Sequence, residues 1–195
     1  MARASQKLSL KGRAIALLAQ REHSSTELRR KLLRIARERD AAAAALAAAA
    51  AAASESGEPP PKAAPEDEDA AALGTQARIE EVDTLLAWLQ AQGYLSETRF
   101  VESRIHARSA RHGNLRIRQE LAQHGLAPDA DQLERLKESE FDRARAIWQR
   151  KFGDSSSETR REPAERARQM RFLAGRGFSA DVIRRLLRYS GGDGE

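Results

Sequence analysis

The chain has 195 residues, enough for one or two ordinary domains, and its lack of cysteine excludes disulfides and thiolate metal sites. Its 41% hydrophobic share is inflated by alanine, so a core is thin or divided among small units, and no run of about 18 strongly apolar residues is present to span a membrane. The net charge of +5 is uneven: residues 1–39 hold eleven Lys and Arg against three acids, and residues 40–76 hold seven acids against one lysine, which leaves the remainder suited to DNA, RNA or an acidic protein groove.

Apolar residues recur at helical spacing, and no stretch alternates as a strand would. Leu10, Ala14, Leu17 and Leu18 form a first stripe and Leu28, Leu32 and Ile35 a second. Ser24 and Glu27 have the spacing of a capping box ahead of the second. Residues 40–74 form a low-complexity insertion. Twelve alanines and Leu46 fill residues 41–53 and extend the preceding helix on propensity alone, whereas the Pro-, Gly- and acid-rich part through Glu66-Asp67-Glu68-Asp69 cannot bury enough surface to fold. The third stripe is Ile79, Val82, Leu85, Leu86 and Leu89, with Glu80-Glu81 at the helix start. Phe100, Val101 and Ile105 mark a fourth, capped by Ser96; Ile117 and Leu121 a fifth; Leu133 and Leu136 a short sixth. A second capping spacing, Ser139 and Asp142, precedes a seventh helix with Phe141, Ala144, Ile147, Trp148 and Phe152. Ala167, Met170 and Leu173 line an eighth, and Ile183, Leu186 and Leu187 a ninth, capped by Ser179.

Helix ends repeat. Leu89 to Tyr94, Leu121 to Leu126 and Leu173 to Phe178 each run from leucine through a glycine (Gly93, Gly125, Gly177) to an apolar anchor. Each glycine is placed to supply the left-handed conformation that closes a helix. Leu18 to His23 is a weaker copy with Glu22 in the glycine slot. Short helices cannot bury their stripes alone, so nine helices group into three-helix units: residues 8–93 with the insertion inside, 94–137 and 138–190. Tyr94, Phe100 and Phe178 follow turns and fit core anchoring better than base stacking.

Catalytic chemistry finds no foothold. His23, His106, His112 and His124 lack the spacing of a helical metal site, and there is neither a phosphate-binding glycine loop nor a nucleophile elbow. The chain is expected to be no enzyme and to carry no metal or cofactor, and its basic, soon-interrupted start argues for the cytoplasm rather than secretion.

Three basic clusters remain as contact candidates. On the second helix, Arg29, Arg30, Lys31, Arg34 and Arg37 stand among six cations faced by Glu38, and Arg30, Arg34 and Arg37 share one face. The second cluster is Arg104, Arg108, Arg111, Arg116 and Arg118; the third is Arg184, Arg185 and Arg188, with Arg168, Arg171 and Arg176 before it. The alternative is a solvated surface of i, i+4 ion pairs, the expected case for the seventh helix, where Glu138, Glu140 and Asp142 offset Arg143 and Arg145. A helix-turn-helix DNA reader is a second alternative, but the start of the last helix, Ser179-Ala180-Asp181-Val182, offers little to read bases.

In order, Ala16-Leu17-Leu18, Arg21-Glu22-His23-Ser24, Glu27 to Leu32, Gly93 to Val101, Gly113 to Leu121 and Arg176 to Ile183 resemble the RecX family over nearly all of residues 8–190 except the insertion. The resemblance implies an all-α fold of three tandem three-helix repeats forming an elongated curved body. It implies a cytoplasmic monomer acting in DNA repair, recombination and the SOS response. Such a protein binds the groove of the RecA filament, with single-stranded or duplex DNA as part of that filament, and restrains extension, strand exchange and ATP hydrolysis. The insertion and the loop from Gly153 to Pro163 depart from the usual pattern.

Overall fold

The computed structural model describes residues 8–54, 68–153 and 162–189, and among them every regular element is helical. The chain divides into two compact units, residues 1–97 and 98–195.

The first unit holds α1 (Leu10–Gln20), α2 (Ser25–Ser54) and α3 (Glu68–Ala91). Each of the first two starts behind a serine: the Gly12 N–H donates to Ser9 Oγ and the Glu27 N–H to Ser24 Oγ, both at 3.1 Å. Leu10 and Ala14 of α1, Leu28, Leu32 and Ala36 of α2, and Val82, Leu86 and Leu89 of α3 form the core, joined by Leu95. The alanine run continues α2, so much of the insertion is helix, and α2 reaches about 45 Å at 1.5 Å per residue. Because α3 begins at Glu68, Glu80 and Glu81 lie inside it and not at its start. Of the Pro- and acid-rich part, residues 55–67 lie outside the described residues, while Glu68 and Asp69, expected to stay outside any helix, open α3.

The second unit holds α4 (Glu97–Ser109), α5 (Asn114–Ala122), α6 (Ala130–Phe152), α7 (Pro163–Gly175) and α8 (Ala180–Tyr189). The expected sixth and seventh helices are the single helix α6. No glycine or proline interrupts residues 130–152, and Ser139 caps nothing: its Oγ donates to the Arg135 carbonyl one turn back at 2.8 Å. The capping box lies earlier, where Gln132 N–H donates to Asp129 Oδ1 at 2.7 Å and Asp129 N–H to Gln132 Oε1 at 3.0 Å. Along α6, Leu136 joins a core with Phe100, Val101, Ile117 and Leu121, while Ala144, Ile147, Trp148 and Phe152 join another with Leu173, Phe178, Ile183, Leu186 and Leu187. The boundary drawn at 137/138 therefore falls within one continuous helix.

Gly93, Gly125 and Gly177 take φ of 71°, 74° and 81°. In the last two turns the anchor N–H closes back on the helix, Leu126 to the Leu121 carbonyl at 3.1 Å and Phe178 to that of Leu173 at 3.2 Å. The first turn differs. Leu95 donates to the Leu89 carbonyl and is buried, whereas Tyr94 is 48% exposed and stacks on Trp88 at 5.7 Å, so Tyr94 is not a core anchor. Phe100 and Phe178 are buried as expected. The weak copy closes without left-handed backbone: α1 ends in an extended Arg21, and His23, 1% exposed, fills the anchor position.

Candidate interaction surface

On α2, Leu28, Leu32 and Ala36 face the core, and a turn of the helix away Arg30, Arg34 and Arg37 are exposed, as their spacing predicts. Arg30 and Arg37 have no ion pair among the described residues, and Arg34 approaches Glu38 at only 3.8 Å with both side chains about 70% exposed. That contact is worth little and leaves the guanidinium available. The remaining cations of this cluster are committed. Arg29 forks onto Asp83 of α3 at 2.6 and 2.9 Å, a pairing that holds the Asp83 carboxyl below its ordinary range. Lys31 sits 3.3 Å from Glu27 Oε1 and 3.1 Å from His23 Nε2. Arg39, bidentate to Glu81 at 2.9 and 2.8 Å, and Arg78, 3.3 Å from Asp40, complete the ties between α2 and α3.

Beneath the exposed row, Glu27 is buried with Arg21 and Lys31 on its carboxylate. Burial opposes its ionisation, but the Arg21 hydrogen bond and charge, with help from Lys31, override that cost and hold its pKa at about 2. Burial, with the cations Arg21 and Lys31, pushes His23 below its ordinary value. In the neutral ring Nδ1–H donates to the Arg21 carbonyl at 3.2 Å and Nε2 accepts from Lys31.

In the second cluster, Arg104 and Arg108 converge on Glu120 at 3.2 and 2.8 Å, and Arg104 also lies over the Phe100 ring. These two serve packing. Arg111, Arg116 and Arg118 are exposed and have no ion pair among the described residues. Burial and the nearby charges of Arg108, Arg116 and Arg176 lower the pKa of His112.

In the third cluster Arg184 pairs with Asp181 and Arg185 lies over the Phe141 ring at 4.4 Å; Arg188 is exposed and has no ion pair among the described residues. Before it, Arg168 meets Glu165 at 3.3 Å, and Arg176 covers Phe172 while donating to the Arg111 carbonyl.

The acids of α6 are not all a solvated face. Glu140 is 5% exposed and accepts from Asn114 N–H at 3.1 Å, Ser179 N–H at 3.2 Å and the Ser179 hydroxyl at 3.2 Å, so one carboxylate holds the starts of α5 and α8. Arg143 donates to the carbonyls of His112 (2.8 Å) and Leu136 (2.9 Å) and to Asn114 Oδ1 (2.5 Å). Its partial burial lowers its pKa, with Glu140 opposing the shift. Sequence reasoning missed this joint because each α6 residue resembles a member of an ordinary exposed charge pattern.

Among the described residues no three potential ligands gather as a metal site, and no helix is long and apolar enough to cross a membrane. The model of the third three-helix domain of RecX matches residues 138–187, and that of the second three-helix domain matches residues 96–130. The chain is 37% identical to the regulatory protein RecX of Ralstonia nicotianae over 189 residues, covering 96% of this chain and 91% of that one. It is 41% identical to RecX of Leptothrix cholodnii over 183 residues, covering 93% and 88%. With RecX of Pseudomonas putida the identity is 38% over 185 residues, covering 92% and 90%.

Proposed function

Since this chain belongs to the RecX family, we propose that it is a non-catalytic cytoplasmic regulator that binds the RecA filament on DNA and restrains its extension, strand exchange and ATP hydrolysis. The observation that carries the reading is the exposed row Arg30, Arg34 and Arg37, which internal ion pairs leave free for an anionic partner. Arg111, Arg116 and Arg118 on the second unit extend the same chemistry, and Arg188 adds to it. Arg29, Lys31, Arg104 and Arg108 support the scaffold through the acids they hold. The proposed organisation keeps three repeats, residues 8–93, 94–137 and 138–190, with α6 as the shared element of the last two. Contacts spread over several filament subunits would add up without any single tight pocket.

The test is RecA ATPase on single-stranded DNA with this protein titrated in. Inhibition well below the amount that coats the DNA is expected, and Arg30→Glu, Arg34→Glu and Arg37→Glu together should weaken it while leaving helicity intact. Inhibition only at coating amounts would replace the reading with general DNA binding, and unchanged inhibition by the triple variant would remove α2 from the interface.

A further inference from the structure

Within the second unit a groove of about 530 Å³ runs between α7 and α8, with Arg166 and Met170 on one side and Arg184, Arg185, Leu187 and Arg188 on the other. Met170 belongs to the apolar stripe of its helix, yet it is 43% exposed. The inward position is taken by Gln169, whose Oε1 accepts the Trp148 indole N–H at 2.9 Å. The result is a flexible apolar side chain set among arginines, with buried Leu187 adding apolar floor. Four arginines face the single acid Asp181, and the ion pair of Arg184 with Asp181 is exposed on both sides and so readily exchanged. Arg166 and Arg188 have no ion pair among the described residues.

We propose that this groove docks an acidic, amphipathic protein segment, with an apolar side chain against Met170 and carboxylates on Arg166 and Arg188. This deepens the reading given above and rests on it in one respect, that the protein acts on a protein partner. A phosphate backbone would pair with the arginines but leave Met170 and Leu187 unused. A carboxylate peptide with an apolar anchor satisfies both kinds of surface: arginine forks donate to carboxylates bidentately, and methionine adapts to varied apolar shapes. The α2 row differs in degree, since the partly buried Leu33 lies among Arg30, Arg34 and Arg37 but no large apolar side chain there is exposed as Met170 is. The two surfaces thus divide the work, the row suiting phosphates and the groove suiting protein.

The experiment uses the full chain and a fluorescein-labelled twelve-residue peptide of Asp and Glu with leucine at every fourth position. The comparison probes are the same peptide with serine for leucine and a twelve-nucleotide oligothymidylate. Met170→Ser, which alters no charge at an exposed position, should weaken the leucine peptide about tenfold and the oligonucleotide less than twofold. Arg188→Gln should weaken both peptides. Equal binding of leucine and serine peptides, an unchanged peptide affinity in Met170→Ser, or parallel loss of oligonucleotide binding would each overturn the proposal. RecA ATPase measured on the same samples separates the two readings. A wild-type chain that inhibits RecA without binding the peptide sinks the groove alone; one that binds the peptide through Met170 without inhibiting RecA upholds the groove and sinks the RecA reading.

Discussion

A buried carboxylate is stable only where donors surround it, and Glu140 has three, two of them backbone N–H groups at the starts of α5 and α8. Glu140→Ala would leave both N–H groups without an acceptor, at about 1–3 kcal/mol each, so a loss of roughly 3 kcal/mol is expected, with Glu140→Gln costing about half as much. Urea unfolding at constant m-value measures it, and an unmoved midpoint would mean that water replaces the carboxylate. The turns at this joint touch through backbone. A Cβ on Gly113 would lie 2.3 Å from the Gly177 carbonyl oxygen and the Phe178 nitrogen, atoms held by the bonds Gly113 N–H to the Arg176 carbonyl and Leu115 N–H to that of Gly177. Gly113→Ala should therefore cost about 2 kcal/mol or more, whereas Gly74→Ala, on open helix surface, should gain about 0.5–1 kcal/mol. The histidines set a pH dependence. His23 and His112 both resist protonation in the folded chain, chiefly through burial. Below about pH 6.5 the unfolded chain takes up protons that the folded one refuses, so stability is full above that pH and falls as acid is added. The Glu27 contribution, with pKa moved from 4.5 to about 2, persists until lower pH. Urea midpoints should be lower at pH 5.5 than at 7.5, and the double variant His23→Gln, His112→Gln should abolish the difference; a difference that survives would assign it elsewhere.

Most helices were legible because their apolar residues kept a 3.6-residue period, and the three glycine turns because left-handed backbone selects glycine. The division between the sixth and seventh helices failed for a physical reason: Ser139 looks like a cap in one dimension, but with no breaker nearby its hydroxyl simply bonds back along α6. Met170 and Gln169 exchanged expected places because the Trp148 indole needs a buried acceptor, which periodicity does not weigh. In the candidate surface, the outward row of α2 followed from spacing alone. Which neighbouring cations were already spent did not, because Asp83 and Glu120 approach from other helices only after folding. The alanine run is a separate case. Its residues are largely exposed, so its helicity rests on propensity and on the nucleus that the buried half of α2 provides. Replacing Ala44, Ala47 and Ala48 with glycine, at about 1 kcal/mol each, should reduce the far-ultraviolet helical signal and leave the urea midpoint of the core unchanged. A midpoint that falls in step with helicity would show that the run packs as core.

At the scale of the whole chain, the net charge of +5 understates what a polyanion meets, because part of the negative charge lies in residues 40–76 and part is spent inside the fold. The contact candidates without a firm ion pair among the described residues are on both units: Arg30 and Arg37 on the first, with Arg34 weakly held, and Arg111, Arg116, Arg118 and Arg188 on the second. If these meet phosphates, each contact releases counterions and steepens the fall of affinity with salt, by about 0.7 in the logarithmic slope per contact on a single strand. Neutralising Arg30, Arg34 and Arg37 with glutamine removes three exposed charges and no buried contact, so stability should change by less than about 0.5 kcal/mol per site. The slope of binding to RecA-coated single-stranded DNA against salt should then fall by about 2. An affinity lost without any change of slope would place these arginines on protein carboxylates rather than phosphates, and an affinity and slope both unchanged would take α2 out of the contact altogether.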